Sequence, residues 1–515
     1  MSASIQHPYI YPQHKDFVPQ WLRHWPHLFF AFWFQMSGVI YGGVVTHFMG
    51  ETCLKREDVM MILLCGVVGL NLPFPIIFRM KAAFPNRSNV ICAALAVGLC
   101  NIGATLTHCV PLLCAMAFVA GFFKLVGTFE CNSSVQLWIT HKRDFTIFFP
   151  AIYSFVIGNM SLSPWLSLQL AYIYQDWRAM SYLVAGVMFL IALYYYTCIR
   201  PYRPLRFFPF LSIDFLGMAL WAAVMIEIIF IFNYGEFYNW WNGFPIRLTT
   251  LLVPLTLFCA IQRMRHIHHP YITPGTWLYK RLIPLTGLFI MVEILSSVPK
   301  VLQNRFLGNI LHYGIMQTAD LYLVEVVATL FSMAFIVFWA KQLKLLYTRL
   351  LTVATLCLFV YVVMLYFLVQ PGLPLQALYM PVFFRAFGNA MFFTVFNTMI
   401  YDMTRMEHFF ACITVAGLIR NGVGESIGSG LYSFGMRHHI VENLSRALPY
   451  DHLQSTLVSI KELYGVTAVL LLCASFAFLL WNIQPVKRTV RKVPYWLRYK
   501  LPLFRIHGRV EARSI

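Results

Sequence analysis

Apolar runs long enough to cross a lipid bilayer recur along almost the whole chain. A membrane-crossing helix needs about 20 apolar residues, and 59% of the 515 residues are hydrophobic while only 11% are charged. Soluble domains carry roughly 25% charged residues, so the composition predicts an all-α polytopic membrane protein. We place fourteen spans, at approximately 25–48, 58–79, 88–108, 111–138, 146–169, 179–199, 211–232, 245–263, 282–301, 317–340, 350–369, 377–401, 410–434 and 464–483.

The lysines and arginines predict how these spans are oriented. If the N-terminus lies inside, the inner loops hold most of the basic residues, and so does the tail from Lys487 to Arg513. Because cytoplasmic loops carry an excess of Lys and Arg, we predict an even number of spans with both termini cytoplasmic. The lysines and arginines that set the topology and contact anionic membrane lipid then account for the net charge of +19. No nucleic-acid partner is expected.

One short motif occurs twice, as FFKLVG at 122–127 and as FFRAFG at 383–388. Each copy places a basic residue, Lys124 or Arg385, inside an apolar span, with a glycine three positions later on the same helical face. A cation in a membrane helix costs several kcal/mol unless it faces a cavity or a partner, so both are functional candidates. The copies fall on the fourth and twelfth spans, which are equivalent if two six-helix bundles flank an inserted helix pair. Secondary transporters use such repeats and bind substrate between them.

This repeat predicts how the chain divides. The segments are 1–24 (cytoplasmic N-terminal segment), 25–199 (N-terminal six-helix bundle), 200–281 (inserted helix pair and linkers), 282–483 (C-terminal six-helix bundle) and 484–515 (basic cytoplasmic tail). The outer connection at about 435–463 has the apolar spacing of a short amphipathic helix on the membrane surface.

Four stretches resemble one family in their order and spacing. They are FFKLVG, QDWRAMSYLVAG at 175–186, the D-x-x-G pattern that begins at Asp214, and AGLIRNGVGESIGSGLYS at 416–433. The chain resembles the major facilitator superfamily, in particular the fourteen-helix drug:proton antiporter branch with EmrB-type multidrug exporters. It departs from that family in the first span, FQMSGVIYGG, which has Gln35 where the family carries an acid.

The resemblance implies a major facilitator fold in the inner (plasma) membrane and efflux of small molecules in exchange for protons. In a cell with two membranes it also implies a periplasmic membrane-fusion adaptor and an outer-membrane channel as partners. No phosphate-cradling Gly-Lys-Ser loop, HExxH motif or nucleophile elbow occurs. We therefore expect no enzyme activity, no cofactor and no metal site.

Charged residues inside the spans are the candidates for proton coupling or substrate binding, because a buried carboxylate takes up a proton when a nearby cation moves away and releases it when the cation returns. They are Lys124, Glu130, Glu293, Asp320, Glu325, Arg385, Arg420 and Glu425. Glu130 is the nearest acid in sequence to Lys124. The candidates for lining a cavity are Gln35, Phe123, Asn159, Phe384 and Asn389. For each, the alternative is a structural ion pair or plain packing.

The expected function is a secondary active transporter that exports amphipathic or lipophilic small molecules by alternating access, by proton-coupled antiport. One alternative is a flippase for a lipid-linked precursor, or an exporter of a specific metabolite or lipid. A receptor or scaffold is a third possibility, which the paired cations in equivalent helices disfavour.

Overall fold

The computed structural model describes residues 14–19, 23, 25–139, 145–201, 213–267, 269–272, 282–339, 347–404, 406–418, 423–446 and 452–481. Arg420 and the basic tail at 484–515 lie outside these residues, so their predicted roles stay predictions. Within the described ranges the secondary structure is helical, apart from one isolated β-bridge between His14 and Ile199.

The helices follow the predicted spans closely. The first half contains α1 (Trp25–Met36), α2 (Val45–Thr52), α3 (Arg56–Asn71), α4 (Ile77–Ala83), α5 (Asn86–Leu106), α6 (Val110–Ile139), α7 (Phe145–Tyr174) and α8 (Ala179–Cys198). A helical hairpin follows, formed by α9 (Phe215–Tyr234) and α10 (Phe244–His266). The second half contains α11 (Leu282–Arg305), α12 (Ala319–Phe338), α13 (Tyr347–Leu368), α14 (Tyr379–Met403), α15 (Met406–Leu418), α16 (Glu425–Arg446) and α17 (His452–Trp481).

The described helices correspond to fourteen crossings if α1 with α2, α3 with α4, and α15 with α16 are each counted as one span. Nine of the described helices are individually long and apolar enough to cross a membrane. The predicted all-α polytopic fold with about fourteen spans is therefore confirmed. One local prediction is wrong: 435–463 forms no separate surface helix, because α16 and α17 extend through most of it and bury Ile460.

The same packing pattern occurs in both halves. In the first half α6 packs against α3 and α5, and α5 packs against α8. In the second half α14 packs against α12 and α13, and α13 packs against α17. These pairs correspond one to one when the halves are aligned in chain order, so α6 and α14, which carry the repeated motif, occupy equivalent positions.

Polar contacts at the helix ends agree with alternate crossing of the bilayer. We call the side on which α1 begins the near side and the opposite side the far side. Arg178, before α8, forms an ion pair with Glu51 at the end of α2, and both lie on the far side. Tyr313 Oη donates to the carbonyl oxygen of Leu373 at 2.7 Å, and both lie on the far side as well. Which side is cytoplasmic stays a prediction from the basic residues.

The hairpin lies against both halves. Helix α9 packs against α3 of the first half and against α16 of the second. Its contact with α16 is close, because a Cβ atom on Gly430 would lie 2.8 Å from the carbonyl oxygen of Phe232. On the other flank of the molecule α7 packs against α12 and α14, so the two halves touch there directly.

Candidate functional site

The first membrane-crossing unit is broken near its middle. Helix α1 ends at Met36, and a 3₁₀ turn at Gly42–Val44 leads into α2. A glycine is required at position 43, because any Cβ atom there would clash with the carbonyl oxygen of Pro164 on α7. Irregular backbone inside a membrane is tolerated where other groups satisfy its hydrogen bonds, and such broken helices form binding sites in transporters.

Side chains from two other helices satisfy the carbonyl groups at the end of α1. Lys124 Nζ on α6 donates to the carbonyl oxygen of Ser37 at 2.7 Å. Ser163 Oγ on α7 donates to that of Met36 at 3.0 Å. The last carbonyls of a helix lack partners within the helix and carry partial negative charge. Lys124 therefore supplies both a hydrogen bond and a compensating charge.

The motif glycine beside Lys124 lets α1 approach α6. A Cβ atom on Gly127 would clash with the ring of Phe34 on α1. Gln35, on the same helix, donates through Nε2 to Thr128 Oγ1 at 3.1 Å. The lysine and the glycine of FFKLVG therefore act together, because the glycine admits the broken helix and the lysine caps it.

Glu130 is the partner of Lys81 and not of Lys124. Lys81 Nζ, on α4, lies 3.2 Å from one carboxylate oxygen of Glu130, and Asn89 Nδ2 donates to the other at 3.0 Å. Lys81 also donates to Ser133 Oγ at 2.5 Å. Both charged side chains are buried. This geometry is that of a satisfied structural ion pair within the first half, a pairing that the spacing of the residues in the chain does not reveal.

The second motif copy forms an ion pair between helices. The guanidinium of Arg385 on α14 pairs with the carboxylate of Glu325 on α12, and their side chains are 8% and 17% exposed. The other carboxylate oxygen of Glu325 accepts a hydrogen bond from Ser161 Oγ on α7 at 2.6 Å. Glu325 thus connects a helix of the first half to the cation of the second half. The guanidinium also lies 5.8 Å from the ring centroid of Tyr361.

The motif glycine of the second half also lies where two helices approach each other closely. A Cβ atom on Gly388 would lie 2.9 Å from the carbonyl oxygen of Ala354 on α13. The two copies of the motif therefore share the cation and the tight helix contact. They differ in the partner, which is a backbone carbonyl for Lys124 and a carboxylate for Arg385.

The remaining candidates are not brought into one cluster by the described contacts. Asn159 is buried on α7, and Asn389 is partly buried on α14. Phe123 and Phe384 each lie edge to face against the preceding phenylalanine and border the two hydrophobic cores. Asp320 is exposed in the first turn of α12, while Glu293 and Glu425 are partly buried. Their predicted roles stay predictions.

The D-x-x-G pattern has a structural explanation at the start of the hairpin. Asp214 caps α9 by accepting a hydrogen bond from the backbone N–H of Gly217 at 2.9 Å, and a Cβ at that glycine would clash with the carboxylate. The carboxylate also forms an ion pair with Arg263 on α10 at 2.8 Å. The motif therefore joins the two helices of the hairpin at the near side.

Aromatic rings join the two halves on the near side. Phe78 on α4 and Phe129 on α6 contact Phe410 on α15, with ring centroids 4.8 and 5.9 Å apart. Phe149 on α7 contacts Phe409 at 5.7 Å in a second cluster. The two halves thus touch on the near side, and the helix that carries Lys124 contributes Phe129 to that contact.

Comparisons with known proteins identify the fold. No protein-family model and no curated protein sequence matches the chain. Among solved structures, a mutant of the peptide transporter POT in complex with alafosfalin is similar with a TM-score of 0.58 and 15% identity, over 92% of this chain and 97% of that one. The chain has the major facilitator fold.

Two further structures share this fold over most of this chain. A mutant of the nucleoside transporter NupG gives a TM-score of 0.53 at 10% identity, over 88% of this chain and 99% of that one. The human organic anion transporter MFSD10 gives 0.52 at 11% identity, over 90% and 100%. At these identities the likeness establishes the fold, and the chain is a multi-pass membrane protein.

Proposed function

We propose that the protein is a secondary active transporter that exports amphipathic or lipophilic small molecules by alternating access, in exchange for protons. One observation carries the proposal: the carboxylate of Glu325 holds Ser161 of the first half and Arg385 of the second half at the same time. A titratable group that links the two halves inside the membrane is what proton coupling requires. The transporters of known structure that share the fold make transport the natural use of this arrangement.

The coupling follows from the electrostatics of the pair. A proton that binds Glu325 removes the negative charge and leaves Arg385 as a buried cation without a counter-charge. An uncompensated buried charge costs several kcal/mol, so protonation favours a different arrangement of α12 and α14 relative to α7. Loss of the proton restores the pair and the contact between the halves. Protonation thereby shifts the equilibrium between two states.

We further propose that the chain lies in the inner (plasma) membrane with both termini cytoplasmic, and that it divides into the two bundles and the inserted pair predicted from sequence. The near side is then cytoplasmic, and the aromatic contacts on that side close the path to the cytoplasm. The resemblance to EmrB-type exporters supports drug efflux, a membrane-fusion adaptor and an outer-membrane channel as features to test.

Glu325→Gln in reconstituted vesicles tests the coupling. The full-length protein in liposomes should accumulate fluorescent amphipathic compounds when a pH gradient is imposed, and a protonophore should abolish the accumulation. Glutamine keeps the shape but does not take up the proton, so we expect Glu325→Gln to lose gradient-driven accumulation. The measurement is the initial rate of accumulation with and without the gradient.

Glu227→Gln is the matched control. Glu227 is also a membrane carboxylate, but it accepts a hydrogen bond from Thr256 within the hairpin at 2.7 Å, away from Arg385. This variant should keep gradient-driven accumulation. If Glu325→Gln transports at the wild-type rate under the same gradient, Glu325 does not carry the coupling proton.

A further inference from the structure

We infer that Lys124 binds an acidic group on the substrate, so that the transported compound is an amphipathic organic anion. The inference rests on the proposed function, because it assigns the substrate class of the same transport path. Its basis is the hydrogen bonds, the charge and the position of one side chain.

The ammonium group of Lys124 keeps donors for a ligand. A lysine side chain offers three N–H donors, and the contact made by Nζ in the described ranges is the one to the carbonyl oxygen of Ser37 at 2.7 Å. Two donors therefore remain. Carboxylate, phosphate and sulfonate oxygens are the acceptors that bind such donors most strongly, through charge-assisted hydrogen bonds.

The charge of Lys124 is compensated only in part. Among the described residues no carboxylate oxygen lies within 4 Å of its Nζ, because Glu130 is paired with Lys81 and Glu325 with Arg385. The carboxyl end of α1 supplies the equivalent of roughly −0.5 charge. About half of the positive charge is left, in a place where an isolated charge is costly. An anionic ligand would neutralise it.

The position of Lys124 suits a transport path. It lies near the middle of α6, beside the break in α1, and the same helix carries Phe129, which touches Phe410 of the other half. Five residues along a helix correspond to about 7.5 Å. Along the helix axis Lys124 therefore lies about 7.5 Å from the level of the contact that must open and close as the halves move.

The far end of the interface carries charges of both signs. Arg305 at the end of α11 donates to Ser433 Oγ on α16 at 3.1 Å and lies within electrostatic range of Arg56 and Arg437, with Glu236 as the acidic neighbour. Arg56 begins α3 of the first half. Glu57 and Asp58 follow Arg56 in the first turn of α3, so three acids accompany the three arginines and the inference rests on Lys124.

Three anthracene derivatives of equal size test the inference by binding alone. The probes are anthracene-9-carboxylate, 9-anthracenemethanol and 9-anthracenemethylammonium, titrated by fluorescence against the purified full-length protein in nanodiscs. We expect the carboxylate to bind about tenfold or more tighter than the alcohol, as one charge-assisted hydrogen bond implies. Lys124→Met should remove that preference, and Lys124→Arg should retain it.

Lys461→Met, which removes a lysine from α17 in the other half, is the matched control and should leave the preference unchanged. The inference is overturned if the wild type binds the carboxylate no tighter than the alcohol, or if Lys124→Met keeps the wild-type order of affinities while remaining folded by circular dichroism. Binding needs no pH gradient. A failure of this inference is therefore distinguishable from a failure of proton coupling, which leaves the affinities intact.

Discussion

At the scale of single residues, the two cations of the repeated motif have different surroundings. Lys124 donates to a backbone carbonyl at the break in α1, whereas Arg385 pairs with Glu325. The difference arises because a helix ends opposite Lys124, while α12 presents a carboxylate opposite Arg385. The motif therefore predicts that a cation lies in each half, but the partner depends on a helix that is distant in sequence.

Glu130 shows the same dependence on distant residues, because its partner Lys81 precedes it by 49 positions in the chain. Glu130→Ala leaves Lys81 buried and unpaired, and we expect a loss of about 3–5 kcal/mol in the free energy of unfolding. Lys81→Met combined with Glu130→Leu removes both charges and should recover most of this loss. The measurement is chemical unfolding of the purified protein in detergent. Equal losses in the single and double variants would contradict the structural role of the pair.

At the scale of elements, the apolar runs predicted the helices well, because the thickness of the bilayer sets the length of a helix that crosses it. The break in α1 was not predictable in the same way. The stretch from Ser37 to Gly43 is apolar enough to continue a span, and its irregular backbone depends on Pro164, Ser163 and Lys124 from two other helices. Within this stretch, the small residues are the only indication in the sequence that the helix breaks there.

Close helix contacts in the first half depend on glycine. A Cβ atom on Gly121 of α6 would clash with the carbonyl oxygen of Gly66 and lie 2.9 Å from the backbone nitrogen of Leu70, both on α3. Because backbone does not yield as a flexible side chain does, we expect Gly121→Ala to destabilise the protein by about 1–3 kcal/mol. The readout is the midpoint of thermal unfolding in detergent.

Gly186→Ala is the control for the loss of a helical glycine. Gly186 lies on α8 with no atom within 4 Å of the position of a Cβ. Alanine there should be neutral, or stabilising by up to about 1 kcal/mol through helix propensity. A midpoint for Gly121→Ala as high as that for Gly186→Ala would show that α3 and α6 have room to move apart.

At the scale of the whole molecule, the two halves meet on the near side through aromatic rings and on one flank through the hydrogen bond from Ser161 to Glu325. The sequence predicted two equivalent halves from a six-residue repeat, but it carried no indication of how they touch. Phe78, Phe129 and Phe410 belong to three separate helices and carry no motif. Alternating access requires that these contacts separate during each transport cycle.

Cross-linking tests whether the near side opens. In a chain whose twelve native cysteines are replaced, Phe78→Cys and Phe410→Cys are joined by a short thiol-specific cross-linker. We expect transport to be lost, because the link holds the halves together, and cleavage of the linker should restore it. The measurement is substrate accumulation in vesicles.

Phe78→Cys with Phe129→Cys provides the matched control, since these rings are 5.6 Å apart and both belong to the first half. This link should leave transport intact. Full transport with the link between Phe78 and Phe410 in place would mean that the near side stays closed during the cycle.

The hairpin of α9 and α10 exposes the two flanks of the interface between the halves unequally to compounds dissolved in the bilayer. One flank of the interface is covered by α9, which packs against α3 and α16, while the opposite flank is formed by α7 and α12 themselves. A lipophilic compound that partitions into a membrane leaflet diffuses toward the protein from all directions. We expect it to reach the interface through the sector of lipid next to α7 and α12, where the leaflet meets both halves directly.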